Sequence, residues 1–324
     1  MKTYKEIYAL VEQQIAQLKY TQQPVELYQP ITYMMALGGK RLRPVLTLMA
    51  ANIFTTEISK AMPAALAVEM FHNFSLVHDD IMDKADIRRG EPTVHKKWNE
   101  TIAILSGDLM MIKAIDLLCE SKHQNLAELI KLFNTTAAEV CEGQQWDMNF
   151  ETIDHVSEEE YLNMITLKTA VLIGCSLKLG AIVSGASHAD AEHLYQFGKN
   201  IGIAFQIQDD ILDSFGEGDK VGKKIGGDIL ANKKTLLLIE AKQLATGQLK
   251  TDLTNWLLAT DYHPDEKIKA ILAIYNACQV RQKAEQLKEQ YLQLAFKHLA
   301  QVNAPIENTT PLKQTAIDLM ERMS

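Results

Sequence analysis

The chain has 324 residues, 47% of them apolar and 23% charged, which is enough hydrophobic mass for a large core and excludes disorder. Its eight prolines all lie at or before Pro92 or at or after Pro264, and its 16 glycines are few, so a turn-rich β-sandwich or barrel is excluded as well. A net charge of −8 removes the electrostatic footprint of a general nucleic-acid binder.

Residues 3–20 predict an amphipathic helix, with Ile7, Leu10, Val11, Ile15 and Leu18 at helical spacing. Pro24 and Pro30 predict a linker. A helix is then expected from Ile31, broken at Gly38-Gly39 and resumed after Pro44. Pro63 suits the first turn of the next helix, which runs through HNFSLVHDDIMD. A basic loop over residues 87–93 precedes another helix to about Leu118. Polar clusters at 120–125 and 151–159 divide the middle of the chain, and Ser157 with Glu160 forms a capping-box pattern. Gly216, Gly218, Gly222, Gly226 and Gly227 predict a loop, and helices follow to the C-terminus apart from a loop at 305–311. No fixed-period repeat interrupts this pattern. The expectation is one all-α domain over residues 1–324.

The four cysteines (Cys119, Cys141, Cys175, Cys278) form no CxxC pair, so neither a disulfide framework nor a zinc site is expected. The opening MKTYKEIYAL has polar residues where a signal peptide is apolar, and no membrane-spanning run is read from the sequence. A cytoplasmic protein is the expectation.

Two helical stretches carry DDxxD in apolar surroundings: Asp79, Asp80 and Asp83, and then Asp209, Asp210 and Asp213. On a helix, residues four apart stack one turn above each other, so each cluster places like charges side by side. Hard divalent cations relieve that repulsion, and Mg²⁺ characteristically takes one or two carboxylates together with substrate phosphates. A single DDxxD also fits a solvated helix end; two matching copies read as two metal-binding walls. Basic groups near Gly or Pro supply anion contacts: Lys40, Arg41 and Arg43; Arg88 and Arg89; Lys168 beside Thr169; and Lys223, Lys233 and Lys234 around the glycine loop. His72 falls on the same helical stripe as Asp79 and Asp83, and Gln206 on that of Asp209 and Asp213.

In order, GGKRLRP, HNFSLVHDDIMD, RRGEPTVH, LSGDLMM, EGQQWDM, KTA, FQIQDDILD and GKKIGGDILANKKT make nearly the whole chain similar to the trans-isoprenyl diphosphate synthases, the polyprenyl synthetase family. The resemblance implies a single large bundle of antiparallel helices around a central substrate cavity, assembled as a homodimer. It implies condensation of an allylic diphosphate with isopentenyl diphosphate, head to tail, with several Mg²⁺ ions per active site and release of pyrophosphate. Asp79, Asp83 and Asp209 are then metal ligands, with Asp80, Asp210 and Asp213 as further ligands or supporting groups. Arg88, Lys168, Lys223 and Lys233 fall to the allylic diphosphate, and Lys40, Arg43, His72 and Arg89 to isopentenyl diphosphate. Thr169 and Gln206 face the reacting carbons. By the same resemblance Phe74 closes the floor of the tail cavity and restricts the product to C15–C20; a longer-chain synthase is the alternative.

Other readings explain less. A terpene cyclase mixes Asn or Asp with Ser or Thr and Glu in its second metal motif, whereas this chain has DDILD. A ferritin-like di-iron bundle would use Glu-x-x-His twice, and Glu69-x-x-His72 and Glu120-x-x-His123 are present, but the aspartate clusters would have no purpose. A non-catalytic partner subunit is disfavoured because both aspartate motifs are intact.

Overall fold

The computed structural model describes residues 2–121, 123–216 and 226–321. The fold is all-α. Among the described residues the only sheet is a hairpin of β1 (Ile87–Arg88) and β2 (Glu91–Pro92). It forms where a basic loop is predicted, because Arg89 and Gly90 both take positive φ (54° and 83°), the backbone that a tight two-residue hairpin turn requires.

The chain divides into two compact units. The first holds the stretch ending at Thr135, with Cys175–Tyr195 and Gln301–Leu312; the second holds Thr136–Gly174, Gln196–Ala300 and the segment from Lys313. In the first unit, α1 (Tyr4–Gln17), α2 (Val25–Ala36), α3 (Leu42–Phe54), α4 (Met62–Met82), α5 (Val94–Lys97) and α6 (Glu100–Cys119) follow in order. Ile7, Val11, Met34, Met35, Leu48 and Phe71 fill its core, and α4 packs on α3 and α6. Burying each such side chain is worth roughly 1.5–3 kcal/mol, so α4 is held firmly along its length.

Next come α7 (Leu126–Thr152), α8 (Glu158–Ile165), a π-helical turn (Thr166–Ala170), α9 (Val171–Val183) and α10 (His188–Phe215). After Gly226 come α11 (Gly227–Leu230), α12 (Leu236–Leu244), α13 (Gly247–Leu258), α14 (Pro264–Ala277), α15 (Val280–Leu299) and α16 (Ile306–Glu321). The core of the second unit gathers Tyr161, Ile207, Ile211, Leu237, Ile271 and Tyr275.

The capping box at α8 forms as predicted: the Glu160 N–H donates to Ser157 Oγ at 3.2 Å, and the Ser157 N–H donates to Glu160 Oε2 at 2.8 Å. Two proline-based boundaries do not. Pro24 is the N-cap of α2 and Pro30 lies buried inside it, while Pro311 lies inside α16. Burial of Ile31, Met34 and Met35 outweighs the one backbone hydrogen bond that Pro30 forgoes. The helical run Glu158–Val183 is, by length and composition, apolar enough to cross a membrane, contrary to the sequence reading. Of its apolar window 72% is buried inside the protein, the setting of a core helix.

Candidate active site

In the first unit the backbone over residues 38–41 is left-handed three times, with φ of 71° at Gly38, 133° at Gly39 and 43° at Arg41. The Tyr4 and Tyr8 hydroxyls donate to the carbonyls of Lys40 and Gly39, both at 3.0 Å. Arg89 donates to the Gly38 carbonyl, and a Cβ on Gly39 would fall 3.0 Å from the Arg89 guanidinium carbon. The φ of 133° is what calls for glycine there, since the atom a Cβ would meet is the tip of a side chain that can shift.

Arg41, grouped with the anion contacts in the sequence, turns inward instead. It is 3% exposed and bonds Glu12 at 2.6 Å, Glu69 at 2.8 Å and the Met35 carbonyl at 2.6 Å. Glu69 also accepts from Asn73, so the pairing of this buried cation is complete enough to offset its desolvation. Arg43 reaches His72, donating to Nε2 at 3.1 Å. Burial, and then Arg43, Arg89, Arg88 and Arg41, hold the His72 imidazole well below its ordinary range, so it is neutral. Burial pushes Arg43 down to about 10, and it stays charged at neutral pH. Its Nε is buried and has no hydrogen-bond partner among the described residues, a donor ready for an anion.

Asp79 and Asp83 stand one turn apart where α4 ends, half-buried and exposed respectively. Asp80 is buried, 1% exposed. Arg88 Nε donates to both its oxygens, at 2.8 and 2.9 Å, and Nη2 lies 2.7 Å from Oδ1. The same Nη2 is 3.8 Å from Asp79 Oδ2. Burial raises the Asp80 carboxyl above the usual range, against the pull of Arg88.

The second unit repeats this division. Asp209 and Asp213 are half-buried at the end of α10, and Asp210 is 5% exposed. The Tyr161 hydroxyl donates to Asp210 Oδ2 at 2.6 Å and Gln206 Nε2 to Oδ1 at 3.2 Å; Thr169 donates to Gln206 Oε1 at 3.4 Å. Burial pushes Asp210 up to about 7, while Tyr161 and Gln206 work against it. Lys168 pairs with Asp147 at 2.5 Å from the π turn. The Asp228 N–H donates to Asp213 Oδ1 at 2.9 Å, and the Gly226 N–H to the Asp213 carbonyl at 2.7 Å. Lys233 is exposed, five residues after Asp228, and its N–H donates to the Asp228 carbonyl. Lys223 lies outside the described residues.

Gly143 on α7 permits the π turn to approach. A Cβ there would fall 2.2 Å from the Lys168 nitrogen and 2.6 Å from its Cα. Because backbone rather than a side-chain tip must move, Gly143→Ala is expected to cost about 3 kcal/mol, the upper end for overpacking. Thermal unfolding followed by circular dichroism checks this, and a wild-type melting temperature would refute it.

Both aspartate pairs sit at the C-terminal ends of long helices, where the helix dipole disfavours negative charge. A cation relieves both the dipole and the like-charge repulsion. Among the described residues no three His, Cys, Asp or Glu side chains are close enough to hold a metal by themselves. Hard oxygen donors in pairs suit Mg²⁺, which completes its shell with water and phosphate oxygens.

Four supporting groups escape sequence reading. Asp147 lies in the motif EGQQWDM, which carried a signal; Tyr161, 49 residues from Asp210, carried none. Glu12 and Glu69 are identified only by their pairing with Arg41. The di-iron alternative has no support: Glu69 and His72 are engaged with Arg41 and Arg43, and Glu120 caps the end of α6.

The family model described as polyprenyl synthetase matches residues 24–275. A geranylgeranyl diphosphate synthase of Methanosarcina mazei is 44% identical over 233 residues, covering 71% of this chain and 72% of that protein. One of Saccharolobus solfataricus is 39% identical over 287 residues, covering 87% and 85%. A crystal structure of a geranylgeranyl pyrophosphate synthase covers 100% of both chains with a TM-score of 0.94 at 42% identity.

Proposed function

This chain belongs to the polyprenyl synthetase family, and from that premise we propose that it is a prenyltransferase making a short trans-prenyl diphosphate. The substrates on this reading are isopentenyl diphosphate and an allylic diphosphate, and the product is C20, as the names of its relatives suggest. The family model runs through both compact units, which supports reading residues 1–324 as one functional domain. We also propose a homodimer in the cytoplasm.

The observation that carries the reading is the division of labour within each DDxxD. Asp79 and Asp83, and Asp209 and Asp213, stay accessible at helix ends, while Asp80 and Asp210 are buried and already paired. The accessible four would hold magnesium; the buried two orient Arg88 and Gln206. When bound, magnesium withdraws charge from the departing diphosphate. Arg88, Lys168, Lys223 and Lys233 supply positive charge to the allylic diphosphate oxygens. Arg43, with its spare Nε, binds isopentenyl diphosphate together with Lys40, Arg89 and the neutral His72. Thr169 and Gln206, tied to each other, line the reacting carbons and present no nucleophile. None is required: the attacking electrons come from the double bond of isopentenyl diphosphate, the allylic C–O bond breaks as the diphosphate departs, and the new carbocation loses a proton to the released pyrophosphate.

Purified protein is expected to convert the two diphosphates to a longer product with Mg²⁺ and to lose that activity with excess chelator. Chromatography of the dephosphorylated products reads the chain length. No condensation with any allylic diphosphate from C5 to C15 would overturn the assignment.

A further inference from the structure

Lys267 is a buried lysine that the reaction does not use. It is 1% exposed and stands in the first turn of α14, close to the positive end of that helix dipole. No salt bridge reaches it among the described residues. Its ammonium donates to Asn232 Oδ1 at 2.8 Å and lies 4.4 Å from the Tyr262 ring centroid. A buried ammonium without a carboxylate partner is costly, and a methionine or leucine would fill the same space without that cost. The charge therefore serves the contact it makes.

That contact is with the residue directly before Lys233. Asn232 has φ of 52°, in the left-handed region that asparagine tolerates better than most residues. Both ends of its amide are held: Oδ1 by Lys267, and Nδ2 by donation to the Leu257 carbonyl at the end of α13. The backbone on either side is fixed as well. The Lys233 N–H donates to the Asp228 carbonyl at 2.9 Å, and the Thr235 N–H to the Lys233 carbonyl at 2.8 Å. Next to Lys267 on the same helix, Ile268 closes over Gly226, where a Cβ would fall 2.8 Å from its Cδ1. Adjacent residues of α14 thus brace both ends of the segment that carries Asp228.

We propose that Lys267 is a positioning residue for Lys233: through the Asn232 amide it fixes the direction in which Lys233 leaves the left-handed turn, and so the enzyme's affinity for the allylic diphosphate. This rests on the reading of Lys233 as a ligand of that diphosphate.

The test compares Lys267→Met, Asn232→Gly and Lys233→Ala in steady-state assays with each substrate varied in turn. Lys267→Met keeps the volume and removes the donor; Asn232→Gly keeps the left-handed backbone and removes the acceptor, leaving α14 intact if the first variant folds poorly. Both are expected to raise the KM for the allylic diphosphate about five- to tenfold and to leave that for isopentenyl diphosphate within twofold. Because both remove the Lys267–Asn232 bond, while Asn232→Gly also loses the bond to the Leu257 carbonyl, the double variant should raise the allylic KM by less than the product of the two single effects, and Lys267→Met/Lys233→Ala should be no worse than Lys233→Ala. Unchanged allylic KM in both, beside a raised KM in Lys233→Ala, overturns the inference alone. Equal rises for both substrates also overturn it, since general loosening would produce them. An unchanged Lys233→Ala enzyme removes the reading on which the inference stands.

Discussion

Asp79→Ala and Asp209→Ala are each expected to lower turnover roughly 10³-fold or more, since several kcal/mol of transition-state charge stabilisation are lost at about 1.4 kcal/mol per tenfold. The fold should be untouched. Both carboxylates are half-buried; Asp79 lies in the last turn of α4, where removing negative charge stabilises by roughly 0.3–1 kcal/mol, whereas Asp209 lies more than a turn before the end of α10, where that gain is absent. The signature is thus a dead or nearly dead enzyme whose melting temperature holds or rises slightly. Arg88 keeps its bidentate grip on Asp80 in Asp79→Ala, so the basic side of the site is also preserved. By contrast, Asp80→Ala and Asp210→Ala strip partners from Arg88 and Tyr161 and should lower stability and activity together. Steady-state rates and circular-dichroism melts on the same preparations separate the two classes. Full activity in Asp79→Ala or Asp209→Ala would sink the metal assignment.

Phe74→Ala is expected to lengthen the product by one or more isoprene units. Phe74 lies five residues before Asp79, about 7.5 Å back along the axis of α4. It is half-buried, with its ring 5.4 Å from Phe71 and 4.8 Å from His78 between centroids. Phe71 in turn packs edge-on against Phe133 at 5.4 Å, so a second aromatic layer stands behind the first. Gly107 on α6 admits the His78 ring, which a Cβ there would meet at 2.3 Å. Removing the Phe74 ring leaves that backing in place and opens space on its near side, which lengthens the tail without undoing the helix. Product chromatography of wild type and variant decides the matter. A wild-type product beyond C25, or an unchanged distribution in Phe74→Ala, would remove Phe74 as the floor.

The sequence by itself determined the all-α class, since a proline-free middle and apolar residues at helical spacing leave no other way to bury the core. It also determined the chemistry on offer, because DDxxD twice and GGKRLRP are legible as residue types at set spacing. Helical periodicity reports which side chains share a face, and so the pairing of Asp79 with Asp83 and Asp209 with Asp213 needed no coordinates. Only the tertiary structure decided what the intervening aspartates do. Asp80 and Asp210 are buried, and their partners, Arg88 from a hairpin and Tyr161 from another helix, are brought in by packing. The same holds for Arg41, which the sequence groups with Lys40 and Arg43 but which a left-handed backbone turns towards Glu12 and Glu69. Pro30 and Pro311 sit inside helices for a related reason: burial of a whole helix face exceeds the local cost of one absent N–H. Lys267 and Asn232, 35 residues apart, show the limit most plainly, because local spacing carries no information about a bond that exists only once α14 has packed against α11 and the turn that follows it.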